Sequence, residues 1–596
     1  MKINLNVLVP IIVFALLFSC AHPGSPGGGP KDMDAPVILV VIPENGSANF
    51  STDKFTIEFD EFIELKDIQK QALISPPLNS KPDFKIKGKS LQVKFNEELK
   101  ENTTYSVYFG DAIVDITQGN PVSNYTYIFS TGPYVDSLSL QGKVLDAFTL
   151  EAVEDCFVML YKDDNDTISL DSLPLMVRPY YLSKSDKKGR FRFNGLGNDE
   201  YLMFAILDMN ASLSFDQPNE QIAFIDSLIH PTYVNKPKPD SSLIDTLGAA
   251  IAETDLNITN DSLAKIIADS LFKAKSNLFS DQLKTYEMFL YTEKDTVFKL
   301  MSAKIIKENT IQYVFNTPIN NDVSISVVNY ANREIWFVAD TSENADTITW
   351  YYKNLPIDTL QVLVKQNADT LDFINFRLNK PKIGRKNKKD KGKPLKILSN
   401  PASKVLKPKT SPRIDFNQPI ENINFDSVIL ISGSDTIIKP DFYFTNNLQM
   451  QLEIPVENAE DTRYLIAIPD SCIYDWNGLS NKETLLRFST KPLSDYGTFI
   501  LNVSTRNKHS LILQLLGSKN ELIKQNLFSG DTTLVYTYLT AGKYKLKVIF
   551  DSNNNGKWDM GSYLKNIQAE KVIYYNNELD VRANWDIEEE WVLSDE

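Results

Sequence analysis

Short stretches in which apolar and polar side chains alternate recur along most of the chain. Phe55 to Ile63, for example, reads FTIEFDEFI, and such stretches are separated by breaks rich in Asn, Gly, Asp and Pro. Alternation with a period of two predicts strands that bury one face, and breaks of this composition predict turns. The sequence therefore predicts a series of β-sandwich domains of about 100 residues each.

One unit of this kind occurs twice. FTIEFDEFI corresponds to PRIDFNQPI from Pro412, and NTTYSVYFGDAIVDITQGN corresponds to DTRYLIAIPDSCIYDWNGL further along each copy. A third, weaker copy begins with IQYVFNTPI at Ile311. The predicted domains of this kind are residues 36–133, 395–492 and a degenerate 286–379.

A second kind of unit follows each full copy of the first. We place it at residues 134–231, with SKSDKKGRFRFNGLGNDEYLMFAILD, and at residues 493–596, with LTAGKYKLKVIFD. Residues 232–285 carry apolar side chains at helical spacing, which predicts a short helical or partly disordered insertion. Residues 380–394 form a densely basic linker, either a solvated hinge or a segment that binds lipid headgroups or an acidic partner.

The N-terminus carries a short apolar run that ends in Leu17-Phe18-Ser19-Cys20. The run is too short to span a membrane and is typical of a signal peptide, here residues 1–19. It resembles a bacterial lipoprotein signal, and this resemblance implies cleavage before Cys20 and acylation of Cys20 with fatty acids such as palmitate. Residues 20–35 are rich in Gly and Pro and predict a flexible tether. Of the other cysteines, Cys156 and Cys472 lie in different predicted domains, so we expect two free, buried thiols.

A candidate metal loop lies in the last domain. In FDSNNNGKWDMG, Asp551, Asn553, Asn555 and Asp559 fall at positions 1, 3, 5 and 9 of an EF-hand-like calcium pattern, but position 12 is Ser. The alternative is an Asn/Asp/Gly turn with Trp558 packed on the sheet. The 134–231 domain repeats the loop from Asp208, with Leu213 in place of Gly556, which predicts that this copy has lost any metal. A structural calcium ion is the one cofactor that the sequence suggests.

The triplet Asp-Ser/Thr-aliphatic recurs along the chain and resembles the O-glycosylation acceptor of Bacteroidota envelope proteins. This resemblance implies Thr246, Ser262 and Ser270 as candidate acceptors. The alternative is that each triplet marks a turn leading into a strand.

Composition and motifs argue against several classes of function. A formal net charge of −15 over 596 residues disfavours nucleic-acid binding. The three histidines lie in separate segments, and the chain has no nucleotide-binding or metalloprotease motif. We therefore predict that the protein is not an enzyme and has no catalytic residues.

The C-terminal segment places Trp585 and Trp591 in an acidic run. Either this run closes the last sandwich as an edge strand, or its tryptophans contact a partner.

The repeated units resemble known families. The first kind resembles the bacterial Ig-like domain of surface-layer proteins and Bacteroidota outer-membrane lipoproteins. The second kind is similar to prealbumin-like, carboxypeptidase-regulatory-like sandwiches. The resemblance implies a mainly β chain of tandem Ig-like and prealbumin-like sandwiches, anchored to the outer membrane through Cys20 and more readily placed at the cell surface than at the periplasmic face.

Two functions follow from this resemblance. The first is an accessory scaffold subunit bound to an outer-membrane β-barrel protein in an assembly or secretion complex. The alternative is an adhesin or glycan-binding lipoprotein, which needs an exposed aromatic platform; Trp336, Trp350 and Trp476 are candidates.

Overall fold

The computed structural model describes residues 33–593, except for 124, 163–171, 211, 234–282, 296, 321, 379–393, 434, 439, 457–458 and 507–508. The chain divides into two compact units, residues 1–146 with 151–290, and residues 147–150 with 291–596. Both units are built from strands, and the described α-helices, α1 (Ile68–Gln71) and α2 (Leu173–Met176), have four residues each. The mainly β fold predicted from alternation is confirmed. Among the described residues, no helix is long and apolar enough to cross a membrane.

The 36–133 domain is a small sandwich of antiparallel sheets. Its strands are β1 (Ile38–Ile42), β2 (Lys54–Phe59), β3 (Ile63–Leu65), β4 (Leu73–Ser75), β5 (Asp83–Lys87), β6 (Ser90–Lys94), β7 (Thr104–Tyr108), β8 (Ile113–Asp115) and β9 (Thr126–Ser130). The sheets have the orders β1-β2-β6-β5 and β4-β7-β9, with a separate β3-β8 pair. Phe55, Ile57 and Phe59 alternate along β2 and enter the core, where Phe55 stacks on Tyr127.

The 134–231 domain forms the rest of the first unit. Its strands, together with two from beyond the predicted boundary, are β10 (Leu138–Asp146), β11 (Phe157–Lys162), β12 (Tyr181–Lys184), β13 (Arg190–Leu196), β14 (Tyr201–Leu207), β15 (Gln221–Phe224), β16 (Thr232–Tyr233) and β17 (Thr285–Thr292). β17 pairs in parallel with β10, and its Met288 and Leu290 enter this domain's core. The sequence assigned most of β17 to the following domain, whereas its pairing belongs here.

The second unit begins with the degenerate 286–379 segment. Its remaining strands are β18 (Leu300–Lys307), β19 (Thr310–Phe315), β20 (Val323–Val327), β21 (Phe337–Thr341), β22 (Thr347–Tyr352), β23 (Thr359–Gln366) and β24 (Asp369–Arg377). They form the sheets β18-β19-β22-β21 and β20-β23-β24 around one core. Trp336 and Trp350 lie in this core, so neither can belong to an exposed aromatic platform.

The 395–492 domain repeats the sheet order of the 36–133 domain. Its strands are β25 (Ile397–Asn400), β26 (Val405–Leu406), β27 (Arg413–Phe416), β28 (Ile420–Ile423), β29 (Ile429–Ser432), β30 (Asp435–Ile438), β31 (Tyr443–Phe444), β32 (Gln451–Glu453), β33 (Arg463–Ile468), β34 (Ile473–Asp475) and β35 (Thr484–Thr490), with a 3₁₀ turn at Phe425–Ser427. The order β25-β27-β32-β31 matches β1-β2-β6-β5, and β28-β34 matches β3-β8. Cys472 here and Cys156 in the first unit are both free and buried, as predicted.

The 493–596 domain closes the second unit. Its strands are β36 (Tyr496–Thr505), β37 (Ser510–Gly517), β38 (Leu522–Phe528), β39 (Thr532–Thr540), β40 (Gly542–Asp551), β41 (Val572–Tyr574), β42 (Leu579–Val581) and β43 (Asp586–Leu593), with 3₁₀ turns at Leu493–Asp495 and Tyr563–Lys565. They form the sheets β39-β36-β43 and β38-β37-β40-β41, with β42 also on β40. β43 runs parallel to β36 at the edge of its sheet.

A buried aspartate ends the equivalent strands β8 and β34. Asp115 accepts hydrogen bonds on both carboxylate oxygens, from the backbone N–H groups of Gln118, Gly119 and Asn120 and from the Thr117 hydroxyl. These bonds, led by that from Gln118, lower the pKa of Asp115. Asp475 accepts its two backbone bonds on Oδ1 alone, and burial raises its pKa.

We predict losses of different size when Asn replaces these two residues. Asp115→Asn should lower the unfolding temperature at pH 7, because an amide N–H₂ replaces the oxygen that accepts the Asn120 N–H. A depressed folded-state pKa contributes stability above the unfolded value of about 4, and this contribution disappears as the pH falls. The difference between Asp115→Asn and wild type should therefore shrink toward pH 3.

Asp475→Asn is the matched control. Its amide oxygen can keep both bonds, and the charge that burial disfavours is gone, so the loss at pH 7 should be smaller. Calorimetry of the full chain from pH 3 to pH 7 measures both effects, and a larger loss for Asp475→Asn at pH 7 contradicts the assignment.

Candidate functional site

A shallow pocket lies at one end of the central strand β36 in the 493–596 domain. It has a volume of about 250 Å³, below the roughly 300–1,000 Å³ that is typical of small-molecule pockets. Its lining combines three aromatic residues with polar groups, namely Leu493, Tyr496, Gly497, Thr498, Tyr538, Asn584, Trp585 and Asp586. Asp586 is the one carboxylate in this lining. The pocket therefore suits recognition of part of an extended ligand.

The turn that carries Trp585 is fixed by backbone contacts to β36. Asn584 N–H donates to the Tyr496 carbonyl at 2.8 Å, and Thr498 N–H donates to the Trp585 carbonyl at 3.0 Å. Between them, Gly497 has no room for a side chain, since an added Cβ would lie 2.5 Å from the Arg582 carbonyl oxygen. Glycine at position 497 thus lets the turn approach the strand.

A β-bulge places Tyr538 at the other side of the pocket. The register of β36 on β39 shifts between Gly497 and Phe499, so that the β39 residues around Tyr538 bulge out. Tyr538 has φ of 58°, a left-handed conformation that is uncommon for a bulky residue. Strained backbone of this kind and bulges that redirect a side chain cluster at functional sites.

The tryptophans of the C-terminal segment have different positions. Trp585 is 59% exposed, and the Arg582 guanidinium carbon lies 5.6 Å from its ring centroid, a cation–π contact. Trp591 is only 9% exposed and packs in the core against Tyr575. The prediction that both could contact a partner is wrong for Trp591, because its position on β43 faces the core. Trp476 is half-buried, with its indole N–H 3.4 Å from Gln418 Oε1.

The predicted calcium loop follows β40. Asp551 is buried and accepts the Asn555 and Gly556 N–H groups, one on each carboxylate oxygen. Asn553 and Asn555 direct their side-chain amides at Asp559 Oδ2, at 2.6 and 2.5 Å. The four predicted ligands are thus close together, and in this structure they bond to one another and to the loop backbone as a hydrogen-bonded turn. Among the described residues, no group of three or more His, Cys, Asp or Glu is placed to hold a metal ion.

A buried glutamate that we did not predict holds this loop. Glu570 accepts the Ser552 N–H at 2.7 Å on Oε1 and the Asp559 N–H at 3.0 Å on Oε2. Its carbonyl accepts the indole N–H of Trp558, which packs on the sheet as the turn alternative predicted. A sequence signal exists, since AEKVIY at Glu570 resembles NEQIAF at Glu220, but an insertion separates it from the loop.

The loop of the 134–231 domain has the same internal bonds. Leu213 N–H donates to Asp208 Oδ2 at 2.8 Å, as Gly556 N–H does to Asp551. Glu220 is buried and accepts the N–H groups of Met209 and Asp216, as Glu570 does in the other copy. Leu213 adopts φ of 60°, so the loop keeps its geometry without glycine.

Three predicted segments lie outside the described residues. The first is residues 1–32, with the signal peptide, Cys20 and most of the tether. The second is residues 234–282, with most of the predicted helical insertion and the candidate glycosylation residues Thr246, Ser262 and Ser270, and the third is residues 380–393 of the basic linker.

Comparison with protein families identifies the first domain. Residues 32–131 match the family model described as a bacterial Ig-like domain, which confirms the Ig-like part of the resemblance. The protein is thus a multi-domain β-sandwich protein that contains a bacterial Ig-like domain. No curated protein matches the chain.

Several solved structures match the chain at low identity and low TM-score. The major pilin subunit BcpA of Bacillus cereus is 8% identical, over 76% of this chain and 99% of that chain, with a TM-score of 0.15. The surface-layer protein SbsC, domains 1–6, is 11% identical over 92% and 67%, with a TM-score of 0.13. Bacteroides ovatus SGBP-B, in complex with a mixed-linkage heptasaccharide, is 8% identical over 74% and 94%, with a TM-score of 0.18. Similarity at this level carries no functional argument.

The calcium prediction has a direct test. If a calcium ion binds among Asp551, Asn553, Asn555 and Asp559, calcium should raise the unfolding temperature relative to EDTA, by the equivalent of about 2.7 kcal/mol at a hundredfold excess over Kd. Asp559→Asn should abolish this response. Equal unfolding temperatures of the wild type in calcium and in EDTA would contradict calcium binding and support the hydrogen-bonded turn.

The sixth loop position offers a second prediction. Gly556→Ala should cost about 1 kcal/mol, because a Cβ disfavours the left-handed conformation. Space is available, since the nearest side-chain atom would be Leu527 Cδ1 at 3.5 Å. In the other loop, Leu213→Gly should likewise be more stable than Leu213→Ala by about 1 kcal/mol. Denaturant unfolding measures both differences, and equal stability of the Gly and Ala forms in either loop contradicts the argument.

Proposed function

We propose that the protein is a non-enzymatic, lipid-anchored protein of the bacterial cell surface that binds a glycan through the Trp585 pocket. The observation that carries the proposal is an exposed tryptophan beside polar side chains in an otherwise well-packed sandwich. An aromatic ring offers an apolar face to the C–H groups of a sugar ring. Thr498, Asn584 and Asp586 offer hydrogen-bond donors and acceptors to its hydroxyl groups.

The pocket chemistry favours binding over hydrolysis. Glycosidases generally use two carboxyl groups that flank the scissile bond, separated by about 5 to 9.5 Å. The lining of this pocket supplies Asp586 alone. A bound glycan would therefore meet one carboxylate, which can accept hydrogen bonds from sugar hydroxyls without a second group to complete acid–base catalysis.

The N-terminal sequence supports the lipid-anchor part of this proposal. The signal-like segment that ends at Cys20 is what a lipoprotein of the outer membrane requires. A glycan-binding protein held at the surface by acyl chains would keep its ligand near the cell without a membrane-spanning segment.

Trp585→Ala should weaken glycan binding by about 10- to 100-fold, since a tryptophan that loses its stacking contact forfeits roughly 1.5–3 kcal/mol of apolar burial. Affinity gel electrophoresis of the full mature chain against a panel of soluble neutral and acidic polysaccharides measures this loss. Val592→Ala is the matched control, because Val592 lies on β43, the edge strand that follows Trp585, is 75% exposed and is not in the pocket.

Two results would overturn the glycan proposal. One is binding that Trp585→Ala leaves unchanged, and the other is no retardation of the wild type by any polysaccharide in the panel. Purification of the lipidated protein with an equimolar outer-membrane β-barrel protein would instead favour the accessory-subunit function.

A further inference from the structure

The outer face of the sheet β1-β2-β6-β5 differs from the rest of this acidic chain. Phe55, Ile57, Leu91 and Val93 point into the core, so the alternate residues of β2 and β6 point outward. On β1, Val40 and Ile42 lie opposite the outward residues Glu58 and Thr56 of β2. On β5, Lys85 lies opposite the outward residue Gln92 of β6. This outer face therefore runs from an aliphatic edge on β1 to a lysine-rich edge on β5.

The aliphatic edge is well exposed. Leu39, at a register shift in β1, is 58% exposed, and Val40 and Ile42 are 46% and 65% exposed. β1 is also the outermost strand of its sheet. Large aliphatic side chains that are adjacent and exposed mark an interaction surface more often than isolated ones do.

The charged part of the face is net positive. It carries four lysines and two acidic residues, namely Lys54, Lys85, Lys87, Lys94, Glu58 and Asp83. Their charges sum to +2, whereas the whole chain has a net charge of −15. Lys85 and Lys94 form ion pairs with Asp83 and Asp53 at 3.5 and 3.4 Å, and all four side chains are exposed. Exposed pairs of this kind contribute little, so a phosphate group can replace either carboxylate at small cost.

The equivalent face of the 395–492 domain is more polar and slightly acidic. Leu398 lies opposite Asp415, and Asn400 lies opposite Arg413, where the first domain has Val40 and Ile42 opposite Glu58 and Thr56. Asn400 donates to Asp415 Oδ2 at 3.2 Å. Arg413, Asp415 and Glu453 give this face a charge of −1, so the shared fold does not require an apolar, cationic face.

We propose that the outer face of β1-β2-β6-β5 rests on the phosphate-bearing surface of the membrane that holds the lipid on Cys20, with Leu39, Val40 and Ile42 in the interface and Lys85 and Lys87 near lipid phosphates. The proposal rests on the proposed lipid anchor. It commits to a bilayer because aliphatic side chains flanked by lysines match acyl chains below anionic headgroups.

The distance along the chain allows this contact. Ile38, the first residue of β1, lies 18 positions after Cys20, a reach of at most about 65 Å. An anchored domain therefore meets the membrane at a high effective concentration, and a contact too weak to recruit the free protein can still be occupied. Each lysine near an anionic surface strengthens such a contact roughly fivefold.

The test uses an artificial anchor, so that its outcome does not depend on acylation. The mature chain carries Cys20→Ser and an N-terminal hexahistidine tag, and it is held on vesicles of phosphatidylethanolamine, phosphatidylglycerol and a nickel-chelating lipid. A polarity-sensitive thiol dye is attached at Val40→Cys. The matched control is the dye at Leu398→Cys, since Leu398 occupies the equivalent register position and is 44% exposed.

We expect the emission at position 40 to shift to the blue on these vesicles and the emission at position 398 to stay unchanged. The double substitution Lys85→Glu and Lys87→Glu should reduce the fraction of position-40 probes that contact the membrane by about tenfold or more. The reason is that two attractions to anionic headgroups become repulsions. Vesicles in which phosphatidylcholine replaces phosphatidylglycerol should give a smaller shift.

Several outcomes overturn the proposal. These are no shift at position 40, equal shifts at both positions, insensitivity to the two lysine reversals, or a shift that appears without vesicles and grows with protein concentration. The last result would indicate pairing of β1 between two copies of the chain. The mass of the N-terminal peptide from the native host tests the lipid anchor separately.

Discussion

Every domain of this protein obeys the constraint that neighbouring residues of a strand point to opposite faces of the sheet. In β2, this constraint commits Phe55, Ile57 and Phe59 to the core, where they are fully buried. The residues between them are excluded from the core and remain free to vary. Two domains can therefore share a core pattern while one presents an aliphatic and cationic outer face and the other a polar, slightly acidic one.

The same constraint determines what the sequence could predict. Alternation and the repeat alignment located the sandwiches and the two equivalent loops, because these features depend on neighbours in the sequence. The alignment could not reveal that β17 joins the sheet of β10, since this parallel pair links residues more than 130 positions apart. It also could not separate Trp585 from Trp591, because only the register of β43 on β36 shows that Trp591 faces the core.

The buried glutamates show a further limit. Glu570 and Glu220 hold equivalent loops, but the spacing along the chain differs: Glu570 lies 11 positions after Asp559, and Glu220 lies 4 positions after Asp216. A fixed-spacing calcium pattern expects its last ligand at a set offset, so it ends at Ser562 and misses Glu570. The loop geometry depends on a carboxylate that folding brings near, and a linear motif does not contain it.

The proposed contacts of the pocket with a glycan and of the outer face with a membrane are both weak. One stacked tryptophan and a few hydrogen bonds give modest affinity, and a few aliphatic and lysine side chains hold a membrane surface only transiently. Anchoring changes what such contacts can achieve. When one point of the chain is already held at a surface, each further contact becomes intramolecular, and its occupancy depends on effective concentration and not on bulk concentration. A protein of stable sandwiches with shallow sites can therefore bind selectively, provided that its attachment supplies the affinity that its pocket lacks.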